Sequence, residues 1–311
     1  MSSLSIVIPV FNATECLEKL CAQLMPVLDS LVDDFEILLV DDGSVDQSWS
    51  VIVELQVQYR HIRGIKLSRN YGQHNALLCG IRAAEFETII TMDDDLQNPV
   101  SEIPKLLNKL HEGYDVVYGT PAEQQHGLLR NLASRLTKLA LQGVMGAETA
   151  TKVSAFRAFR TRLRQGFESY RSPYVSIDVL LTWSTSSFTA IKVEHAQREQ
   201  GESNYTMRKL IAHAFNLVTG FSTFPLQLAS MTGFAFMFFG VGILVWVVGR
   251  YLIFGGNVEG FSFLASIIAI FSGVQLFTLG VFGEYIARIH FRTMDKPPYV
   301  IGEISSRGAE S

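Results

Sequence analysis

The chain of 311 residues carries a formal net charge of −4 and a mean hydropathy of +0.21. The acidic balance excludes a protein that grips a nucleic-acid backbone through a basic excess, and the hydropathy is above that of a purely soluble enzyme. Its three cysteines, Cys16, Cys21 and Cys79, have no metal-ligand spacing and read as small core residues.

From the start, short β-branched runs alternate with helical patterns. Strands are predicted at Leu4 to Val10, Phe35 to Val40, Ile62 to Leu67, Glu87 to Met92 and Tyr114 to Tyr118. Helices are predicted from about Thr14, from about Val45, over Gln73 to Ala84 and over Val100 to Glu112. Near-continuous apolar strands separated by helices imply a mainly parallel α/β sheet covered on both faces, in which ligands bind beyond the carboxyl ends of the strands. The polar clusters fall at those ends: Pro9 to Asn12, Asp41 to Ser44, Ser68 to Asn70, and Asp93 to Asp95. A basic helical stretch (Leu128 to Val144) and a further α/β stretch (Phe156 to Arg160, Phe188 to His195) follow.

Two segments then run without Asp, Glu, Lys or Arg, from Lys209 to Arg250 and from Glu259 to Glu284. A spanning helix needs about 20 apolar residues, and 226–248 and 261–282 each supply them. Leu210 to Phe224 keeps an apolar face and is predicted to lie in the membrane interface as an amphipathic helix. Arg198, Arg208 and Lys209 precede the hairpin and Arg288, Arg292 and Lys296 follow it, so both ends are expected in the cytoplasm. No secretory signal is read in Met1 to Val10. The predicted organisation is a cytosolic catalytic domain (1–209), an interfacial helix (210–224), a transmembrane hairpin (225–287) and a cytosolic tail (288–311) in the inner membrane of the cell.

Two constellations carry chemistry. Asp93 and Asp95, at a strand end, suit a hard cation such as Mg²⁺ or Mn²⁺ on the diphosphate of a nucleotide sugar, although a run of aspartates is also what a solvated loop looks like. Asp41-Asp42-Gly43-Ser44 suits the imide N–H of a base and ribose hydroxyls, and equally a turn with a helix cap. No Gly-x-Gly-x-x-Gly follows the first strand, which argues against a nicotinamide dehydrogenase.

The runs Ile8 to Asn12, Val40 to Ser44, Ser68 to Gln73, Met92 to Pro99, Asp115 to Gly119, Arg198-x-x-Gly201-x-Ser203-x-Tyr205 and Gly283-Glu284-Tyr285-Ile286-x-Arg288 resemble family 2 glycosyltransferases of the polyprenyl-phosphate branch. That branch includes dolichol-phosphate-mannose synthases and bacterial undecaprenyl-phosphate glycosyltransferases. The resemblance implies a GT-A fold, an inverting single displacement, a divalent metal, and transfer from a nucleotide sugar, a UDP-sugar in the first instance, to undecaprenyl phosphate in cell-envelope glycan or lipid modification. Carried over by position, it gives Pro9, Val10, Asn12, Asp41, Asp42 and Asp93 to the nucleotide. Asp93 and Asp95 go to the metal, and Arg157, Arg198, Ser203 and Tyr205 to the phosphates of donor and acceptor. Asp93, Asp95, Arg157 and Arg198 form the catalytic set. Partners implied are the nucleotide sugar, the lipid phosphate and the membrane, with a homo-oligomer expected.

The chain departs from that pattern at Ala13 (usually Glu), Thr151 (Asp), Asn204 (Lys) and in Pro121 to Gln125, which lacks basic residues. These departures keep open a catalytically silent sugar-nucleotide or lipid-binding subunit, and a GDP-mannose-dependent synthase of the dolichol-phosphate-mannose type is a second alternative.

Overall fold

The computed structural model describes residues 3–121, 152–194, 223–254 and 260–305. In order these form β1 (Ser3–Val10), α1 (Thr14–Leu31), β2 (Asp34–Asp41), α2 (Ser48–Gln58), β3 (Ile62–Leu67), α3 (Gln73–Ala83) and β4 (Thr88–Thr91). A 3-10 turn (Val100–Glu102) leads into α4 (Ile103–His111), followed by β5 (Val116–Pro121), β6 (Arg157–Arg160) and a second 3-10 stretch (Thr161–Phe167). Then come α5 (Ile177–Thr182), β7 (Phe188–Val193), α6 (Phe224–Phe254), α7 (Phe261–Thr293) and β8 (Ile301–Ile304).

The strands form one sheet in the order β7-β5-β6-β4-β1-β2-β3-β8. β1 lies in its middle, parallel to β2 and β4. Its apolar run buries both faces because alternate residues point opposite ways. Ile6, Ile8 and Val10 pack with Leu17, Leu20 and Leu24 of α1, while Val7 packs with the α3 side of the sheet. The five early strands and their helices fall close to the predicted bounds. The second helix starts at Ser48, a turn later than expected, since Asp46 is engaged outside it: its Oδ2 accepts from Thr14 Oγ1 at 2.7 Å and its Oδ1 from Ser48 N–H at 3.0 Å.

The sheet is mainly parallel, as predicted, and two features add to that prediction. β6 inserts antiparallel between β4 and β5, so the sheet is mixed, and the start of β6 lies beside the end of β4, with Arg157 opposite Thr91. The segment after the hairpin also adds a strand to the sheet. Helix α7 continues past the predicted end of its span to Thr293, and β8 then returns to pair antiparallel with β3 at the edge of the same sheet. Gly302 approaches the Ser68 backbone there.

Phe224–Ile253 and Ile270–Thr293, with mean hydropathies of 2.2 and 1.3, are long and apolar enough to cross a bilayer. They pack on each other through an edge-to-face contact of Phe236 with Phe271, whose centroids are 5.7 Å apart, and Gly240 leaves room for the Phe271 ring. The predicted helix at Leu128 to Val144 lies outside the described residues, as does nearly all of the predicted interfacial helix.

Candidate active site

The carboxyl ends of β4, β1 and β2 are neighbours, so the loops that leave them meet at one edge. Pro9 is tolerated within the central strand for a geometric reason. Val7 O takes the Met92 N–H on the β4 side and Val10 O takes the Asp42 N–H on the β2 side. By alternation the donor that Pro9 lacks would point to the side where β4 has already ended.

Asp41 ends β2 completely buried. Its Oδ1 accepts the Ser44 N–H at 3.1 Å, the bond of an aspartate-led turn, whereas its buried Oδ2 has no hydrogen-bond partner among the described residues. Asp42, also buried, accepts two backbone amides, Tyr71 N–H at 2.7 Å and Gly72 N–H at 2.8 Å. Burial pushes its carboxyl up to about 6 against the pull of those amides. Of the two aspartates expected at the nucleotide, Asp42 is therefore bound to the 68–72 loop, and Asp41 is left with the open acceptor. Gly43 adopts φ +69°, and a Cβ there would come within 2.5 Å of the Arg69 carbonyl carbon. Only glycine lets the two loops cross at this distance.

Asn12, with φ 54°, braces the first loop by giving its N–H to Ser44 Oγ at 3.0 Å and accepting Val45 N–H at 3.0 Å. Ala13, the departure from the usual Glu, donates its N–H to Ser48 Oγ at 2.8 Å.

The aspartate run does not alternate as a strand would, because β4 stops at Thr91 and the chain turns at Leu96, φ 59°. Asp93 Oδ1 accepts Gln73 Nε2 at 2.6 Å, Asp94 Oδ2 lies 3.3 Å from the Phe11 N–H, and Asp95 Oδ1 accepts Gln97 N–H at 3.2 Å. Burial, with the charges of Asp93 and Asp95 added, pushes Asp94 up to about 7 although the Phe11 amide favours its charged form. Among the described residues no three His, Cys, Asp or Glu side chains are arranged to hold a metal ion. Two carboxylates, Asp93 and Asp95, completed by diphosphate oxygens make a hard donor set. The residues fit such an ion.

Arg157 is corrected by its surroundings. It is 1% exposed, ion-paired with Asp178 and bonded through Nε to Thr91 Oγ1 at 3.0 Å, while the Tyr118 hydroxyl donates to the same Asp178 oxygen at 3.1 Å. A buried guanidinium demands a carboxylate, and Asp178 supplies it from the first turn of α5. Arg157 thus braces the floor of the site and is not open to a phosphate. The partner Asp178 was missed because nothing local in the sequence marks it, and Tyr118 stood in a motif read from the sequence, without a role. Gln73 stood in the motif read from the sequence, without a role.

A model of the family described as "Glycosyl transferase family 2" matches residues 5–167. The chain belongs to glycosyl transferase family 2. Over 310 residues it is 36% identical to the undecaprenyl-phosphate 4-deoxy-4-formamido-L-arabinose transferase of Enterobacter sp. (strain 638), covering 99% of this chain and 95% of that one. Its fold is similar to glucosyl-3-phosphoglycerate synthase of Mycobacterium tuberculosis, both in complex with Mn²⁺, UDP and glucosyl-3-phosphoglycerate and in complex with Mg²⁺ and UDP. The TM-scores are 0.52 and 0.50 at 19% identity, with 70% of this chain and 78% and 77% of those chains covered. The chain is a glycosyltransferase with a GT-A-like fold. Arg198, Ser203 and Tyr205, and the departures at Thr151 and Asn204, lie outside the described residues.

Proposed function

We propose that this family 2 enzyme transfers a sugar from a nucleotide donor, a UDP-sugar in the first instance, to undecaprenyl phosphate at the cytoplasmic face of the inner membrane. One observation carries the reading: the chain leaves the catalytic sheet, runs through two membrane-length apolar helices and rejoins the same sheet as β8. A hairpin that crosses and returns keeps both ends of the soluble part on one side, next to a lipid acceptor confined to the bilayer. The end-to-end similarity to a transferase named for undecaprenyl phosphate supports the acceptor class.

In the proposed reaction an oxygen of the lipid phosphate attacks the anomeric carbon in line, a new carbon–oxygen bond forms with inversion, and the bond to the nucleotide diphosphate breaks. The second pKa of a phosphate monoester is near 6, so the nucleophile is largely ionised and asks little of a general base. Placement and charge then supply most of the rate. Asp41 Oδ2 is the open acceptor for a base N–H, Asp42 holds the neighbouring loop in place, and Gln73 orients Asp93. Asp93 and Asp95 would hold Mg²⁺ or Mn²⁺, which when bound neutralises the departing diphosphate. Arg198, Ser203 and Tyr205 are assigned to the acceptor phosphate.

The test uses the full chain in nanodiscs with undecaprenyl phosphate and a panel of labelled nucleotide sugars. Label in the lipid phase with at least one donor is expected. Nucleotide binding without transfer from any donor overturns the reading in favour of a silent subunit. Reporter fusions at Ser311 and within 255–259 check topology, and an extracytoplasmic signal from Ser311 overturns the placement.

A further inference from the structure

Asn75 lies in the first turn of α3 and is 6% exposed. Its side-chain nitrogen is within donating distance of three carbonyls, one local, Tyr71 at 3.0 Å, and two from distant parts of the chain, Pro298 at 2.8 Å and Pro173 at 3.2 Å. An amide nitrogen carries two hydrogens, so three acceptors share them.

Each carbonyl reports on a different part of the machine. Tyr71 and Gly72 give their N–H groups to Asp42, and their loop crosses Gly43 at the edge where the nucleotide is proposed to bind. Pro298 follows α7 and precedes the β8 strand, and in the same segment Val300 O takes the Ser68 N–H at 2.9 Å. Pro173 precedes Tyr174, whose ring lies 4.6 Å from the guanidinium of Arg288 on α7. The membrane helix thus reaches the catalytic edge by two routes, along the chain and through Arg288 and Tyr174. Both end on the Asn75 amide.

We infer that Asn75 is a positioning residue that fixes the donor edge relative to the membrane helix, so that a lipid-borne phosphate meets the sugar at the right height. The inference rests on the proposed transfer to a membrane acceptor. The acceptor cannot leave the bilayer plane to correct an error, and a misplacement of about 1 Å in an in-line reaction costs about 10²-fold. A side chain that served the core alone would, when changed, lower stability, nucleotide affinity and turnover together.

The experiment compares Asn75→Ala, Asn75→Asp and Asn75→Ser in the full chain in nanodiscs. Asp is the same size but turns a donor into an acceptor facing three carbonyls, and Ser keeps one short donor. The readouts are kcat and KM for undecaprenyl phosphate, Kd for UDP, and amide hydrogen exchange. For Asn75→Ala, kcat should fall about 10- to 100-fold while the Kd for UDP stays near that of the wild type, with Asn75→Ser in between. Exchange at residues 71–72, 174–175 and 299–304 should rise together. A parallel loss of UDP affinity and kcat, unchanged kcat, or faster exchange confined to residues 71–72 overturns the inference. If the wild type transfers no sugar to lipid, the proposed function fails while exchange still decides: joint loosening of the three segments upholds the coupling, and purely local loosening ends it. Should Asn75→Asp not fold, the Ala and Ser pair decides between the same outcomes.

Discussion

Strand β2 carries a buried acid near each end, and the fold treats the two differently. Near its start, Glu36 is matched on both oxygens: Oε1 accepts Ser5 Oγ and the Glu85 N–H, each at 2.7 Å, and Oε2 pairs with Arg63 at 2.7 Å. At its end Asp41 is just as buried, but one oxygen has no partner among the described residues. A buried acceptor left unmatched costs about 1–3 kcal/mol. The cost falls at the carboxyl end, where loops converge and a ligand can repay it. Direction along one parallel strand separates the acid that holds the protein together from the acid kept for chemistry.

The largest break in this comparison is expected at the aspartate run. Asp95→Ala should lower transfer by at least about 10²- to 10³-fold, the scale of losing a charge stabiliser at a reacting centre, while leaving the thermal midpoint in place. Asp93→Ala should follow closely, and Asp94→Ala should be milder because its contact is the Phe11 amide. Glu36→Ala should do the reverse, lowering the midpoint but not kcat per folded molecule. Chelation should silence the wild type, with Mg²⁺ or Mn²⁺ restoring it. Equal midpoint losses for Asp95→Ala and Glu36→Ala would remove the distinction.

Arg157 belongs with Glu36. Removing one member of a buried pair strands the other, so Arg157→Ala should cost about 3–5 kcal/mol, whereas Arg157→Met with Asp178→Leu should cost far less. Chemical denaturation of the detergent-solubilised chain measures both. If Arg157→Ala keeps its stability and loses only turnover, the residue acts on phosphate after all.

Much of this could be read from the chain beforehand. The alternation of apolar runs located five strands and their helices, and strand direction alone brought the polar loops to one edge. What escaped was every choice of distant partner. Nothing near Arg157 names Asp178, and Asp42 cannot announce that it will hold Tyr71 and Gly72. The return of β8 was missed because Ile301 to Ile304 is four residues long and exposed throughout, too short for a periodic signal. The strand that leads to Asp93 and Asp95 also ends earlier than its apolar run suggests, at Thr91 and not Met92.

A smaller effect sharpens the role of Asp41. Asp41→Asn keeps an acceptor for the Ser44 N–H but puts a donor where Oδ2 stood. It should weaken UDP binding about 10- to 100-fold, as the loss of a charged acceptor worth about 1.5–3 kcal/mol requires, without lowering the midpoint. Calorimetric titration reads the first and a melting curve the second. Unchanged UDP affinity would return the base-reading role to another group.

The smallest effect compares the two faces of the sheet through their cysteines. Cys21 packs on the α1 face and Cys79 on the α3 face, and burial pushes both thiols up to about 12. With a raised value the thiol stays protonated until the pH nears 12, so at pH 8 only about one molecule in 10⁴ carries the reactive thiolate. Native labelling of both should be negligible and should climb together as the pH rises. Only Cys79 lies under the returning segment, in contact with Tyr299. Deleting residues 299–311 uncovers Cys79 alone, so its alkylation at pH 8, followed by peptide mass spectrometry, should quicken at least about tenfold as thiolate and access are restored, while Cys21 stays silent. If both quicken together, the segment stabilises the whole domain and does not merely cover one face. If neither does, Tyr299 and β8 do not shield the α3 face in solution, and the return of the chain to the catalytic sheet loses its support.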